Sequence, residues 1–341
     1  MSAPTLSECE LAARDGLLSV SERGPLALYH YTPKCAYDRI WTPVTRAARG
    51  LIFDRRDGAC VARPFPKFFN LGEMPETQPQ ALPSTPFRVE EKLDGSLGIL
   101  FFHEGRWDIT TKGAFGSEQG AYAREELLPR YDLSWLHPSW TLLVEIIYPE
   151  NRIVVDYGDR RELVLLSVVY GSGMEAARAV RAVTARSTGM REVESHAHQN
   201  ILELPFQENQ EGYVVRFEDG TRVKIKSPRY VQIHRLLEYR TPRRILDLIA
   251  SGEYDDVRAQ IPVELAGDFD DVGASLRMAL GQVQGEALRV FEECMPLAED
   301  RKAFAMAAKR KASSRALPLV FALLDGRETE ELAIKAVRRE L

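Results

Sequence analysis

The sequence predicts an α+β protein in two parts: an antiparallel-sheet domain over residues 1–238 and an all-α domain over residues 239–341. Three observations carry that reading. Short apolar runs, several alternating with period two, recur between Asp-Gly and proline breaks as far as His234. Beyond it, apolar residues return three and four apart, as at Ile245, Leu248 and Ile249 and again at Leu317, Val320, Phe321 and Leu324. Thr241-Pro242, at the changeover, offers a helix start.

Composition sets the outer bounds. With 341 residues, 45% apolar and 28% charged, the chain matches a soluble globular protein of one large or two ordinary domains. No apolar run approaches the roughly 18 residues of a membrane span, and no basic-then-apolar leader opens the chain, so a cytoplasmic protein without a membrane partner is expected. Cys9, Cys35, Cys60 and Cys294 are scattered, which reads as reduced thiols rather than a zinc site or a disulfide framework. A net charge of −5 argues against a protein that coats polyanions generically. Charge is nonetheless segregated late in the chain. Glu253–Asp271 holds seven acids and one base, whereas Arg301–Arg315 holds six bases and no acid. That basic stretch is either a phosphate-facing stripe or a solvated helix face.

Taken in order, Met1–Val20 is expected to hold a short helix and Leu26–Tyr31 a strand with Tyr29 and Tyr31 on one face. Ala47–Asp54 is a strand led by Arg49-Gly50, where the guanidinium is either a phosphate clamp or a surface ion pair; the segment alone favours the ion pair. Pro64–Glu73 reads as a packed functional loop in which Lys67 leads Phe68 and Phe69. Phe87–Phe102 (FRVEEKLDGSLGILFF) reads as a hairpin turning at Asp94-Gly95, with Lys92 beside the turn. On its own, an ordinary hairpin with an exposed lysine is the better account of that stretch.

Lys112 precedes Gly113 at the end of a further run, and Tyr122–Tyr131 looks helical. In Thr141–Tyr148 a carboxylate, Glu145, sits inside an apolar strand, which is costly unless it is paired or serves a site; the functional reading is favoured. Leu163–Tyr170 is another apolar strand, and Ala176–His198 reads as a polar, peripheral helix. The stretch Glu211–Val231 gives a strand at Gly212–Phe217, a turn at Asp219-Gly220 and a strand at Arg222–Lys226. Alternation there sets Lys224 and Lys226 on one face, as a phosphate-binding comb or as an ordinary edge strand.

Arg49, Lys67, Lys92, Lys112, Lys224 and Lys226 with Glu145 and Glu211 make a set of cations and carboxylates suited to a nucleoside triphosphate and a hydrated divalent metal. No GxxxxGK[ST] loop is present, so side chains must bind the phosphates.

The ordered stretches ARGLIFD, PFPKFFNLGE, EKLDGSL, TTKGAFGSEQ, VEIIYPENRIVVDY, EGYVVRF and VKIKSPRYV resemble the covalent nucleotidyltransferases, the ATP-dependent polynucleotide ligases and messenger-RNA capping enzymes. Within them the chain is similar to the RNA ligase 1 family of tailed-phage tRNA-repair enzymes. The likeness continues through RKAFAMAAK and the closing helix Glu331–Leu341, and leaves Gly171–Glu208 unmatched. The resemblance implies an ATP-grasp-like adenylyltransferase domain and a helical domain that selects RNA. It implies an ATP-dependent RNA ligase that joins 5′-phosphate and 3′-hydroxyl ends. Lys92 would attack the α-phosphate of ATP, AMP would pass from the lysine to the RNA 5′-phosphate, and a 3′-hydroxyl would displace it.

By the same resemblance Arg49 and Lys67 clamp the β- and γ-phosphates, Lys224 and Lys226 contact the α-phosphate, and Asp94 and Gly95 seat the adenylate. Glu145 and Glu211 would hold Mg2+ or Mn2+ mostly through water and touch the nucleoside, and Lys112 is a further family lysine. A tyrosine that contacts the triphosphate falls on Tyr29 or Tyr31. Broken tRNA is the substrate implied, and a monomer is expected. The alternatives are a capping or DNA-nick-sealing relative, against which the helical tail counts, and a non-catalytic RNA-binding protein with a ligase fold, against which Lys92, Glu145 and Glu211 count.

Overall fold

A computed structural model describes residues 4–341 of the chain. They fall into two compact units, Met1–Tyr230 and Val231–Leu341. In the first, the alternating runs form β1 (Leu18–Arg23), β2 (Leu26–Tyr31), β3 (Arg49–Asp54), β4 (Cys60–Ala62), β5 (Phe69–Asn70) and β6 (Phe87–Lys92). They are followed by β7 (Ser96–His103), β8 (Arg106–Thr111), β9 (Thr141–Ile147) and β10 (Glu162–Val169). Two-residue strands β11 (Arg191–Glu192) and β12 (Ser195–His196) precede β13 (Gly212–Phe217) and β14 (Arg222–Lys226).

Strands β1 to β4 make an antiparallel meander in chain order. A second sheet runs β12-β6-β13-β14-β5, antiparallel but for β14 with β5. A third runs β11-β10-β9-β7-β8, antiparallel but for β10 with β11. Leu100, Ile109, Val144, Ile146 and Leu165 belong to one core on the third sheet. Leu28 and Ile52 of the meander pack with Ile99, Phe101 and Leu143 of that sheet in another. Val89, Tyr213, Val215 and Val223 pack on the second sheet. This apolar burial is the main stabilising term, at about 1.5–3 kcal/mol for each fully buried large side chain.

The structure corrects two expectations and gives bounds to a third. Asp94-Gly95 is not a hairpin: β6 pairs within the second sheet and β7 within the third, so the dipeptide carries the chain from one sheet to the other. The carboxylate of Asp94 explains it, because it is consumed by distant backbone rather than by its own turn. Its Oδ2 accepts from the N–H groups of Val154 (2.8 Å) and Val155 (2.9 Å). Second, the expected helix within Met1–Val20 covers Leu6–Arg14, started by a Thr5–Glu8 capping box, and the chain is already extended from Leu18; residues 1–3 lie outside the described residues.

Third, Ala176–His198 is neither one helix nor peripheral. The helix Arg178–Thr188 stops at Gly189, whose φ of 80° ends it in the left-handed conformation, and β11 and β12 follow. Arg181 on that helix is 3% exposed and donates to Glu90 of β6 (2.6 Å), Glu192 of β11 (2.7 Å) and the Leu166 carbonyl of β10 (2.9 Å). It therefore pins the second sheet to the third. The segment read as helical around Tyr122–Tyr131 is an α-turn over Glu118–Tyr122 continued by a π-turn over Ala123–Leu127 and a 3-10 turn over Leu128–Arg130.

The second unit is helical. Pro242–Ser251 begins after Thr241 and ends at Gly252, and Gly267–Cys294 is its long central helix. Phe269, Leu276, Val283, Ala287, Val290 and Cys294 make one buried stripe along that helix. Helices Arg301–Lys311, Leu317–Leu324 and Glu330–Arg338 complete the unit. The basic stretch is half neutralised: Arg301 pairs with Asp325, Lys311 with Glu293 and Arg315 with Glu340. Lys302, Lys309 and Arg310 remain exposed on the helix Arg301–Lys311. Among the described residues no helix is long and apolar enough to cross a membrane.

Candidate active site

Sheet register gathers the expected residues. In the second sheet Gly212 stands opposite Lys92 on one side and Lys226 on the other. The next residue on each strand with the same orientation gives Glu90, Val214 and Lys224, and the one after gives Arg88, Arg216 and Arg222. One face of three neighbouring strands thus presents a row of cations ending at Lys92 and Lys226.

Glu211, just before β13, lies behind that row. It is 3% exposed, and its carboxylate accepts from Lys92 Nζ at 2.6 Å and meets Lys226 Nζ at 3.1 Å. Two ammonium groups therefore share one buried carboxylate, an arrangement in which each charge compensates the desolvation of the others. Gly212 must be glycine here. Its φ is 147°, and a Cβ would lie 2.1 Å from the Ile225 carbonyl oxygen.

The Asp94-Gly95 crossing is fixed from several directions. Besides holding the Val154 and Val155 amides, Asp94 accepts from the Tyr230 hydroxyl at 2.6 Å, and its own N–H donates to Tyr157 Oη at 2.8 Å. Both carboxylate oxygens of Asp94 are thus taken by protein donors, and it serves by holding Lys92 and Gly95 in place. Gly95 donates its N–H to Glu145 at 3.1 Å, and a Cβ there would come within 2.5 Å of the Ile146 carbonyl oxygen. Burial pushes the Glu145 carboxyl up to about 7, against the downward pull of Lys92.

Arg49 and Lys112 enter from the meander and from the end of β8. At Gly50 the backbone comes so close to Lys112 that a Cβ would lie 2.9 Å from its Cα, which sets the two cations together. The Phe68 ring centroid lies 5.5 Å from both the Arg49 guanidinium and the Lys224 ammonium. Burial, then the neighbouring Lys67, Lys92 and Arg49, hold the Lys224 ammonium down to about 7. Burial likewise lowers Lys67 and Lys112 from the usual lysine range. Arg49, Lys92, Lys112, Lys224 and Lys226 face a cleft of about 270 Å³ with the carboxylates of Glu90, Glu91 and Glu145; Lys67, expected at the site, is not among the residues that line it. Apolar walls come from Phe65, Phe68, Leu93, Leu166, Val193 and Val214.

Such a cleft suits a flat apolar base with a polyanionic tail, and the donor set fits ATP. It fits a metal only as a largely hydrated ion. Among the described residues no three His, Cys, Asp or Glu side chains gather, so a divalent cation would draw on Glu145, with Glu211 already shared by two lysines, and take its remaining ligands from water and phosphate.

Several members of the site were not picked out from the sequence. Arg222 faces the cleft two residues before Lys224, so the same alternation gives it; it stacks over Phe65 at 4.5 Å and is anchored by Glu175. Tyr157 and Tyr230 carried no local signal. Of the two candidate tyrosines, Tyr29 is 1% exposed and packs edge-on against Phe53, whereas Tyr31 has the Lys67 ammonium 5.5 Å from its ring.

A titration consequence follows. At pH 8 a lysine held near 7 is mostly neutral, and an arriving polyphosphate favours its charged form, so binding takes up a proton at Lys224. Calorimetric titration of ATP without metal into Lys92→Ala, in two buffers of different ionisation enthalpy, should report net uptake. Lys224→Ala in that background should remove most of it.

A family model described as RNA ligase matches residues 47–230. A protein of Thermovibrio ammonificans named "Putative RNA ligase" is 31% identical over 252 residues, covering 64% of this chain and 62% of that protein. The chain thus spans less than two thirds of that relative. The RNA ligase of Rhodothermus phage RM378 is 25% identical over 324 residues, covering 72% of each chain. The fold is shared with a structure titled "Putative ATP-dependent DNA ligase from Aquifex aeolicus", with a TM-score of 0.52, 17% identity and coverage of 82% of this chain and 80% of that one.

Proposed function

The chain belongs to the RNA ligase family whose model it matches, and from that premise we propose that it is an ATP-dependent RNA ligase acting through a lysine adenylate at Lys92. The observation that carries the proposal is the Lys92 ammonium, held at 2.6 Å by buried Glu211 at the edge of a cleft whose polar lining is mostly cationic.

In the first step Lys92 Nζ, having given up a proton, forms a bond to the α-phosphorus while the bond from that phosphorus to the β-bridging oxygen breaks, and pyrophosphate leaves. Glu211 is the carboxylate in contact with Lys92 and the nearest acceptor for its proton. Arg49, Lys67 and Lys112 face the charge that develops on the leaving group, and Lys224 and Lys226 face the α-phosphate. The adenylyl group then passes to an RNA 5′-phosphate oxygen and frees the lysine. Last, a 3′-hydroxyl oxygen attacks the 5′-phosphate, seals the strand and releases AMP. When bound, Mg2+ or Mn2+ beside Glu145 adds charge neutralisation and fixes the phosphate geometry. We assign Tyr31, rather than Tyr29, to the triphosphate end of the cleft, because Tyr31 lies beside Lys67.

Incubation with ATP, Mg2+ and 5′-phosphorylated RNA tests the reading: adenylylated RNA and then sealed product should accumulate, with RNA ends favoured over DNA ends. Transfer of a nucleotide to a 5′-diphosphate end, or sealing confined to nicked DNA, would replace it with one of the related activities.

The helical unit is assigned to RNA choice, with broken tRNA as the favoured substrate, in a reducing compartment that suits four free cysteines. Exposed Lys302, Lys309 and Arg310 are the cations left for phosphates. Replacing these three with alanine in the full chain should lower sealing of broken tRNA by about three- to tenfold at physiological salt and flatten its salt dependence, leaving self-adenylylation unchanged. Unchanged tRNA sealing would remove this helix from RNA recognition.

A further inference from the structure

Lys67 lies outside the residues that line the 270 Å³ cleft, and three aromatic rings face its ammonium, where Lys224 has the single ring of Phe68. Lys92 and Lys226 rest on the Glu211 carboxylate. Lys67 makes no ion pair among the described residues; its ammonium instead lies 5.5 Å from the ring of Tyr31, 5.3 Å from that of Trp41 and 5.2 Å from that of Phe69. The rings brace one another. Trp41 meets Tyr31 at 5.1 Å and an interplanar angle of 85°, and Phe69 at 5.3 Å and 69°.

The box is built from separated parts of the chain, and each is fixed. Tyr31 ends β2, and Phe69 lies in β5 beside β14. The loop bearing Trp41 is tied down around Ile40, whose carbonyl accepts from Thr45 Oγ1 at 2.7 Å and from Cys35 Sγ at 3.1 Å. The Trp41 N–H donates to the Arg39 carbonyl at 3.0 Å, with Arg39 at a φ of 54°, a conformation a non-glycine residue keeps only when its surroundings hold it there. Lys67 itself is anchored by its N–H to the Arg46 carbonyl at 2.6 Å.

We propose that Tyr31, Trp41 and Phe69 form an aromatic box that positions the Lys67 ammonium for the terminal phosphates of a nucleoside triphosphate or for pyrophosphate, with Trp41 as a positioning residue. Aromatic faces attract an ammonium through their quadrupoles and replace part of its hydration. Unlike a carboxylate, they do not cancel its charge. A phosphate arriving at Lys67 therefore breaks no ion pair, Glu73 acting on the ammonium only from beyond ion-pair distance, whereas a lysine bound to a carboxylate offers only part of its charge.

The inference rests on the nucleotide reading of the cleft, and the test separates the two. Pyrophosphate and AMP are titrated calorimetrically into the wild type, Trp41→Leu, Trp41→Gln and Trp41→Phe, with thermal melts alongside. Pyrophosphate should bind about five- to tenfold more weakly to Trp41→Leu and Trp41→Gln, the loss of one cation–π contact at a partly buried site. Trp41→Phe should restore most of the affinity, and AMP, which lacks the terminal phosphates, should bind within about twofold of wild type throughout. A folded leucine or glutamine variant that binds pyrophosphate like the wild type would overturn the inference and leave the ligase reading standing. So would a parallel loss of AMP affinity, or a phenylalanine variant as weak as leucine. A wild type that binds neither ligand would remove the nucleotide reading, and the inference with it.

Discussion

Lys92→Ala should take up no label from α-labelled ATP, a loss of at least about 1,000-fold, while melting within a few degrees of the wild type. The stability half of that expectation comes from the shared carboxylate. With Lys92 gone, Glu211 still holds Lys226 at 3.1 Å, so no buried charge is stranded. Lys92→Arg should fail as completely even though it can keep an ion pair with Glu211, because a guanidinium stays protonated and is a poor nucleophile. Supplying RNA that already carries a 5′-adenylate bypasses the lysine, and sealing of that substrate should survive in both variants. If both steps were lost together with the fold, Lys92 would be a structural partner of Glu211 and nothing more.

The two carboxylates separate in the second prediction. Glu211→Gln leaves two ammonium groups facing one neutral amide in a site 3% exposed, so stability should fall by about 2–3 kcal/mol and adenylylation by more than about 100-fold. Glu145→Gln should lose comparable activity without losing stability. An amide oxygen at that position can still accept the Gly95 N–H, which the carboxylate accepts at 3.1 Å.

The sign with pH is distinctive. A carboxyl raised from 4.5 to about 7 in the fold destabilises it progressively as pH rises between those values, and the full cost persists above about 7. Glu145→Gln should therefore melt at or above the wild-type temperature at pH 8 and lose that advantage at pH 4.5. Thermal melts of both variants at the two pH values decide the matter. Unfolding of Glu145→Gln at pH 8 would make Glu145 a structural residue.

How much of this was legible in the sequence depends on how far each residue reaches. Lys224 and Lys226 could be placed on one face because strand alternation is local, and Arg222 yields to the same rule. Glu145 betrayed itself as a carboxylate among apolar neighbours. The Asp94-Gly95 crossing did not, because the partners that hold it, Val154 and Tyr230, are 60 and 136 residues away. A local Asp-Gly pair fits a hairpin until those distant donors are known. Arg181 looked like one polar residue of a surface helix for the same reason, its partner Glu90 lying 91 residues earlier. The effective charge of Arg301–Arg315 was not legible either, since Asp325, Glu293 and Glu340, which neutralise half of it, come from outside the window.

The central claim is that Lys92, and no other lysine of the cleft, carries the adenylate. The competitor is on the same sheet: Lys224 is held near 7, so ionisation alone would make it a ready nucleophile at neutral pH. Geometry favours Lys92, which sits beside the fixed Asp94-Gly95 crossing and in contact with Glu211. The decisive measurement is mass spectrometry of the digested protein after incubation with ATP and Mg2+, under conditions that preserve the acid-labile phosphoramidate. A single AMP adduct on Lys92 that disappears on addition of pyrophosphate is the predicted result. An adduct on Lys224 or Lys112, or one that persists in Lys92→Ala, would contradict it.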